Sequence, residues 1–128
     1  MEITTVHTQD APTPGGHYSQ AVVYNGLVFV AGQLSIDPLT GEKRLGTIEE
    51  QTEQALRNVG AILKAAGSDL DRAVKTTVFL KSMDSFVAMN DVYGRPEYFG
   101  AAAPARSTVE VARLPRDVLV EIEVVALA

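Results

Sequence analysis

Residues 47–67 read as one helix with a single apolar face, and that face cannot be left in water. Thr47 is a capping residue type, and Glu50 three positions on completes a capping box. Ala55, Leu56, Val59, Ile62, Leu63 and Ala66 then recur at helical spacing along one side. Gly67 follows as the C-terminal cap, because glycine enters the left-handed region without steric cost. A helix of this kind has to lie on another layer, and the rest of the chain decides which.

The other segments are mostly strands. Residues 2–6 are short and β-prone, and residues 9–17 form a Pro- and Gly-rich loop. Residues 18–24 read as a strand, Asn25-Gly26 as a two-residue hairpin turn, and residues 27–32 as the return strand. Residues 38–41 make a turn. Residues 73–80 form a β-branched strand, and Ser82 or Asp84 caps a second helix with Phe86, Met89 and Tyr93 on one side. Residues 94–104 read as a loop with two prolines, and residues 107–111 and 119–127 as the last two strands. The order is β-ββ-α-β-α-β-β, which predicts an α+β domain spanning residues 1–128 with two helices on one face of a sheet. In the last strand, Val120, Ile122 and Val124 point one way, whereas Leu119, Glu121, Glu123 and Val125 point the other. A face both apolar and acidic predicts a subunit interface rather than a solvated surface.

Composition removes several function classes. The chain has 128 residues and no Cys, so disulfides, thiolate nucleophiles and Cys-ligated zinc are out. Its two histidines, His7 and His17, are not spaced as a helical metal pair, and no metal site or cofactor is expected. A net charge of −5 weighs against nucleic acid as a partner. No run is long and apolar enough for a membrane span, and the N-terminus has neither the basic start nor the apolar stretch of a secretory signal. The expected location is the cytoplasm.

No nucleophile elbow, P-loop or dinucleotide fingerprint is present, so the candidates are polar residues at strand ends. Arg106 enters a strand after Pro104, where a guanidinium could grip a carboxylate by two hydrogen bonds or pair with a structural Glu. Glu121 could shuttle protons from a partly buried strand or sit solvated on an edge, and pattern alone does not separate it from Glu123. Tyr18 could close over a ligand or be an amphipathic core residue. Asn90 could orient a ligand or bond to a loop.

The same residues carry a resemblance. Ala11-Pro12, Gly16-His17-Tyr18-Ser19-Gln20-Ala21, Ala31-Gly32-Gln33 and Thr40-Gly41-Glu42 follow in order. Gln51-Thr52, Asn58, residues 74–80, Met89-Asn90 and Tyr93 come next. Pro104-Ala105-Arg106-Ser107, Leu114-Pro115 and Glu121-Ile122-Glu123 complete the set. Together they resemble the Rid family over nearly the whole chain. The resemblance implies a chorismate-mutase-like α+β fold, a homotrimer with sites between subunits, and hydrolytic deamination of reactive 2-imino acids or enamines such as 2-iminobutanoate and 2-iminopropanoate. It implies that Arg106 binds the substrate carboxylate and Glu121 assists water attack and proton transfer. Tyr18 and Asn90 would shape the pocket, and the backbone at Gly32 and Thr108 would supply hydrogen bonds. Ala31 stands where many relatives have Ser, and Thr108 where many have Cys. The alternatives are a deaminase for an aminomuconate- or aminoacrylate-type acid, a chaperone or ligand-binding regulator, and an endoribonuclease.

Overall fold

A computed structural model describes residues 2–44 and 46–128. The strands are β1 (Thr4–Val6), β2 (Ala21–Tyr24), β3 (Leu27–Gln33), β4 (Ala73–Leu80), β5 (Ala105–Glu110) and β6 (Val120–Leu127), and the helices are α1 (Ile48–Ala65), α2 (Phe86–Tyr93) and α3 (Pro96–Phe99). The strands form one sheet in the order β1-β2-β3-β6-β4-β5. Among the described residues only β4 and β5 run parallel; their crossover carries α2 and α3. This is the α+β architecture expected from the alternation of strands and helices.

Local chemistry sets the helix and hairpin ends. The Thr47 hydroxyl accepts from the Glu50 N–H at 3.2 Å, and the Thr47 N–H donates back to Glu50 Oε1 at 3.4 Å. Gly67, at φ +81°, closes α1; its N–H reaches the Lys64 carbonyl at 3.0 Å and the Ser68 N–H reaches Leu63 O at 2.8 Å. Asn25 and Gly26 both take positive φ, as a type I′ turn requires.

Several boundaries depart from the sequence reading. Residues 18–20 precede β2 instead of opening it: regular pairing begins at Ala21, Gln20 keeps a single backbone bond to β3 with its main-chain carbonyl accepting from the Ala31 N–H at 2.9 Å, and its side chain is turned to the preceding loop. Its buried amide donates to the carbonyls of Thr8 at 3.0 Å and Pro12 at 2.9 Å, and its carbonyl accepts from the Thr8 N–H at 2.7 Å. The predicted loop at 94–104 contains α3, which starts at Pro96, where a proline costs no helical hydrogen bond. The segment at 107–111 starts two residues earlier, since Ala105 and Arg106 already pair with Lys75 and Thr76. Ser82 caps a short helical turn, Met83–Ser85, that leads into α2.

The core lies between α1 and one sheet face. Leu56, Val59, Ile62 and Leu63 of α1 meet Val28, Val78, Leu80, Val120 and Ile122, all fully buried. Each such side chain contributes roughly 1.5–3 kcal/mol over an exposed position. The opposite face is uncovered and carries Phe29, Val125, Glu121 and Glu123.

Three buried polar residues of α1 shape what lies above the sheet edge. Asn58 donates to the carbonyls of Leu34 and Ile36 at 3.0 and 2.9 Å and accepts from Gln54 Nε2 at 2.9 Å. Gln51 Oε1 accepts from the Ser35 hydroxyl at 3.1 Å and the Leu119 N–H at 2.9 Å. These bonds tie the segment after β3 to the entry of β6. Replacing Asn58 by Leu removes the donors to the Leu34 and Ile36 carbonyls and the acceptor for the buried Gln54 amide, and should cost about 2–3 kcal/mol, against about 1 kcal/mol for Thr47→Ala, which loses a surface cap. Urea unfolding of the two variants checks the order.

Candidate active site

Glu121 stands where β3 and β6 come out of register. The pairing runs from Val30↔Val124 to Gln33↔Ile122, so β3 bulges at Ala31 and Gly32. A Cβ on Gly32 would overlap the Glu121 carboxylate, so any larger residue there would push that side chain from its present position. Above lies a cleft of about 900 Å³ lined in part by Tyr18, Ala31, Gly32, Pro38, Arg116 and Glu121. Tyr18 is 54% exposed on its rim, and its hydroxyl accepts from the Gly15 N–H at 3.0 Å. Burial, with a smaller contribution from the like charge of Glu123, pushes the Glu121 carboxyl above the ordinary glutamate range. Glu123 shares the strand face but is exposed and does not line the cleft. That is the distinction that pattern alone did not make.

Arg106 sits on β5, facing the helical layer. Its Nη1 donates to Asn90 Oδ1 of α2 at 2.8 Å. The guanidinium carbon lies 4.6 Å from the centre of the Tyr93 ring and 5.6 Å from that of Phe86. Among the described residues no carboxylate forms a salt bridge with it. The structural ion pair that the sequence left open is therefore not what holds this residue: a half-buried cation is held by a neutral amide and two aromatic rings. Two residues along the same strand face, Thr108 Oγ1 is buried without a hydrogen-bond partner among the described residues. Sequence reasoning placed Thr108 at the site through its backbone; the side-chain hydroxyl is the group the structure leaves open. It also missed Tyr93 and Phe86 as site residues, reading them only as one side of the second helix. The signal was present, since Phe86, Asn90 and Tyr93 follow the i, i+4, i+7 spacing of one helix face.

The candidate residues thus fall into two groups. Arg106 pairs with Thr76 and Thr108 with Val78, on the covered side of the sheet. Glu121 pairs with Phe79 across β4, on the open side. Within one chain Arg106, Asn90 and Thr108 are together, Glu121, Gly32 and Tyr18 are together, and the sheet separates the two groups. Among the described residues no three His, Asp or Glu side chains gather as a metal-binding group, and no helix is long and apolar enough to cross a membrane.

Residues 8–128 match the family model described as endoribonuclease L-PSP. A RutC family protein of Pyrococcus horikoshii is 53% identical over 121 residues, 94% of each chain. The 2-iminobutanoate/2-iminopropanoate deaminase of Capra hircus is 44% identical over 122 residues, 95% of this chain and 88% of the goat protein. A solved structure of a conserved Rid family protein of unknown function from Yersinia pestis has a TM-score of 0.94 at 44% identity, covering 99% of this chain and 100% of that one.

The state of Glu121 can be read without turnover. A folded pKa raised above the unfolded value means that ionising Glu121 opposes folding. Stability tied to this group is full below the ordinary glutamate pKa and is lost as pH rises through the folded value. Glu121→Gln should therefore match the native protein at acid pH and exceed it in stability near neutrality. By carboxyl NMR titration, Glu123→Gln should lower the Glu121 pKa only partway, since burial is the larger cause.

Proposed function

The chain belongs to the Rid family, and from that premise we propose that it hydrolyses 2-imino acids or their enamines to 2-oxo acids and ammonia, as a homotrimer whose sites lie between subunits. One observation carries the reading: Arg106 is held half-buried with no counter-charge among the described residues, an arrangement suited to an anionic substrate group. Kinship to proteins that include a 2-iminobutanoate/2-iminopropanoate deaminase points to a small imino acid as that substrate.

The chemistry asked of the site is modest. An iminium carbon is already electrophilic, so the protein has to hold it, place water and move protons. Arg106 would take the substrate carboxylate with its free N–H groups, and Asn90 would keep the guanidinium in place. Glu121, its basicity raised by burial, would remove a proton from the attacking water and return one to the nitrogen. The carbon–nitrogen bond then breaks; water supplies the oxygen of the 2-oxo acid and ammonia leaves. Tyr18 would border the substrate at the cleft mouth, and the backbone at Gly32 and Thr108 would offer hydrogen bonds.

The separation of the two groups by the sheet supports assembly. The open face presents Phe29, 40% exposed, and Val109, 42% exposed, beside Glu121 and Glu123. A second copy laid against this face could bring its Arg106 to the cleft of Glu121, and a ring of three would hold three equivalent sites.

Light scattering on a sizing column should give a mass near three chains; a monomer at micromolar concentration would sink the intersubunit site. With an imino acid made in situ by an amino-acid dehydratase, Arg106→Lys should lose about 2–3 kcal/mol in kcat/KM, because a point charge replaces a planar fork. Glu121→Gln should slow turnover by about 10² to 10⁴ with assembly intact, and Glu123→Gln should do much less. Co-refolding Arg106→Ala with Glu121→Gln chains in equal amounts should restore about a quarter of native activity, the share of randomly formed interfaces carrying both native residues. No restoration would place both residues in one chain's site.

A further inference from the structure

We propose that Tyr93 is a positioning residue, its ring face setting the plane of the Arg106 guanidinium so that the free N–H edge meets a substrate carboxylate already aligned. The inference rests on the deaminase reading for its substrate and on four contacts for its geometry. The Arg106 guanidinium carbon lies 4.6 Å from the ring centre, close enough for the ring's negative face to hold the cation. The Tyr93 hydroxyl is 2.7 Å from Thr76 Oγ1, a fully buried group on β4 directly across the ladder from Arg106. Phe99 supports Tyr93 with ring centroids 4.5 Å apart and planes tilted by 35°. Asn90, from the same helix, takes one guanidinium N–H at 2.8 Å.

The ring is anchored at its hydroxyl, backed by a second ring, and has the guanidinium carbon over its face. Asn90 occupies one of five donors, which leaves an edge unspent. A carboxylate in the place of the ring would hold Arg106 as firmly but would also neutralise it and compete with the substrate. Tyr93 avoids this because its phenol stays uncharged. Burial raises its pKa by more than the Thr76 hydrogen bond and the Arg106 charge lower it. The platform therefore holds the cation without discharging it.

Core packing alone would also bury Tyr93, so the test must separate electronics from shape. Phenylalanines bearing one, two and three ring fluorines, placed at position 93, keep the shape nearly constant while draining the negative ring face. For an imino acid, kcat/KM should fall stepwise across that series, by about 10-fold in all. Tyr93→Leu should lose at least as much, and unfluorinated Tyr93→Phe should recover activity to within about 3-fold of native. The methyl ester of the same imine, which has no carboxylate to align, should show no trend. A flat fluorine series, or equal losses for acid and ester, would make Tyr93 a packing residue and overturn the proposal. An activity-free measurement guards against a silent or misfolded variant. Rotation of the isotope-labelled Arg106 guanidinium, followed by NMR, should be slow in the native protein and in Tyr93→Phe and should quicken along the fluorine series. Rotation equally slow throughout would overturn it. A native protein that clears no imine sinks the deaminase reading by itself, and the guanidinium measurement still decides whether Tyr93 holds Arg106.

Discussion

The pairing of β6 with β3 on one side and β4 on the other is the constraint from which the rest follows. Val120, Ile122, Val124 and Ala126 are buried beneath the helical layer, while Glu121 and Glu123 alternate onto the open face. A slip of one residue would exchange the two sets and drive two carboxylates into an apolar core. Burying unpaired carboxylates costs far more than a strand pairing returns, so the register has no near competitor. Because β6 is central, its register places β3 and β4, and β4 in turn places β5 with Arg106.

That arrangement also keeps the two candidate working groups apart. A guanidinium and a carboxylate facing each other across a half-buried gap in one chain would pair, lower the carboxyl pKa and leave neither free. Here the sheet lies between them. Arg106 rests on neutral partners, and Glu121 feels burial and a like charge instead of a cation. In the proposed assembly the two groups would meet only across an interface where substrate lies between them, with its carboxylate toward one and its reacting carbon toward the other.

What could be read in the sequence is what depends on near neighbours along the chain. The capping box at Thr47, the glycine at 67 and the Asn25-Gly26 turn each need only a few residues to act, and all three form as expected. Strand boundaries shifted where a distant partner intervened: the Gln20 side chain bonds to carbonyls eight to twelve residues away, and regular pairing starts only at Ala21. Glu121 and Glu123 could not be separated because a period of two puts them on the same face. Their difference comes from the bulge at Ala31 and Gly32 and from the loops that wall the cleft. Tyr93 was read only as part of one side of the second helix; it is buried, yet its ring faces a charge, which hydrophobic spacing does not encode. The split of Arg106 and Glu121 between faces depends on the β4–β5 pairing, and no local pattern reports that register.

The entry to β6 shows how strain supports the cleft. Arg116 and Asp117 both take positive φ, 54° and 57°, a conformation that costs a side-chain-bearing residue roughly 1–2 kcal/mol. Three contacts from elsewhere hold it. The Lys43 ammonium donates to the Arg116 carbonyl at 2.8 Å, Lys81 lies 3.1 Å from Asp117 Oδ1, and Arg116 Nη1 donates to the Gly41 carbonyl at 3.2 Å. All three are exposed and screened, so each offsets only part of the cost. What the turn gains is placement. It brings Pro115 and Arg116 into the wall of the cleft and lets Leu119 reach Gln51, which starts β6 with Val120 in the core and Glu121 beside the bulge. A relaxed turn at this point would have no need of anchors from two separate segments, and it would leave the register of β6, and with it the carboxylate, less sharply defined.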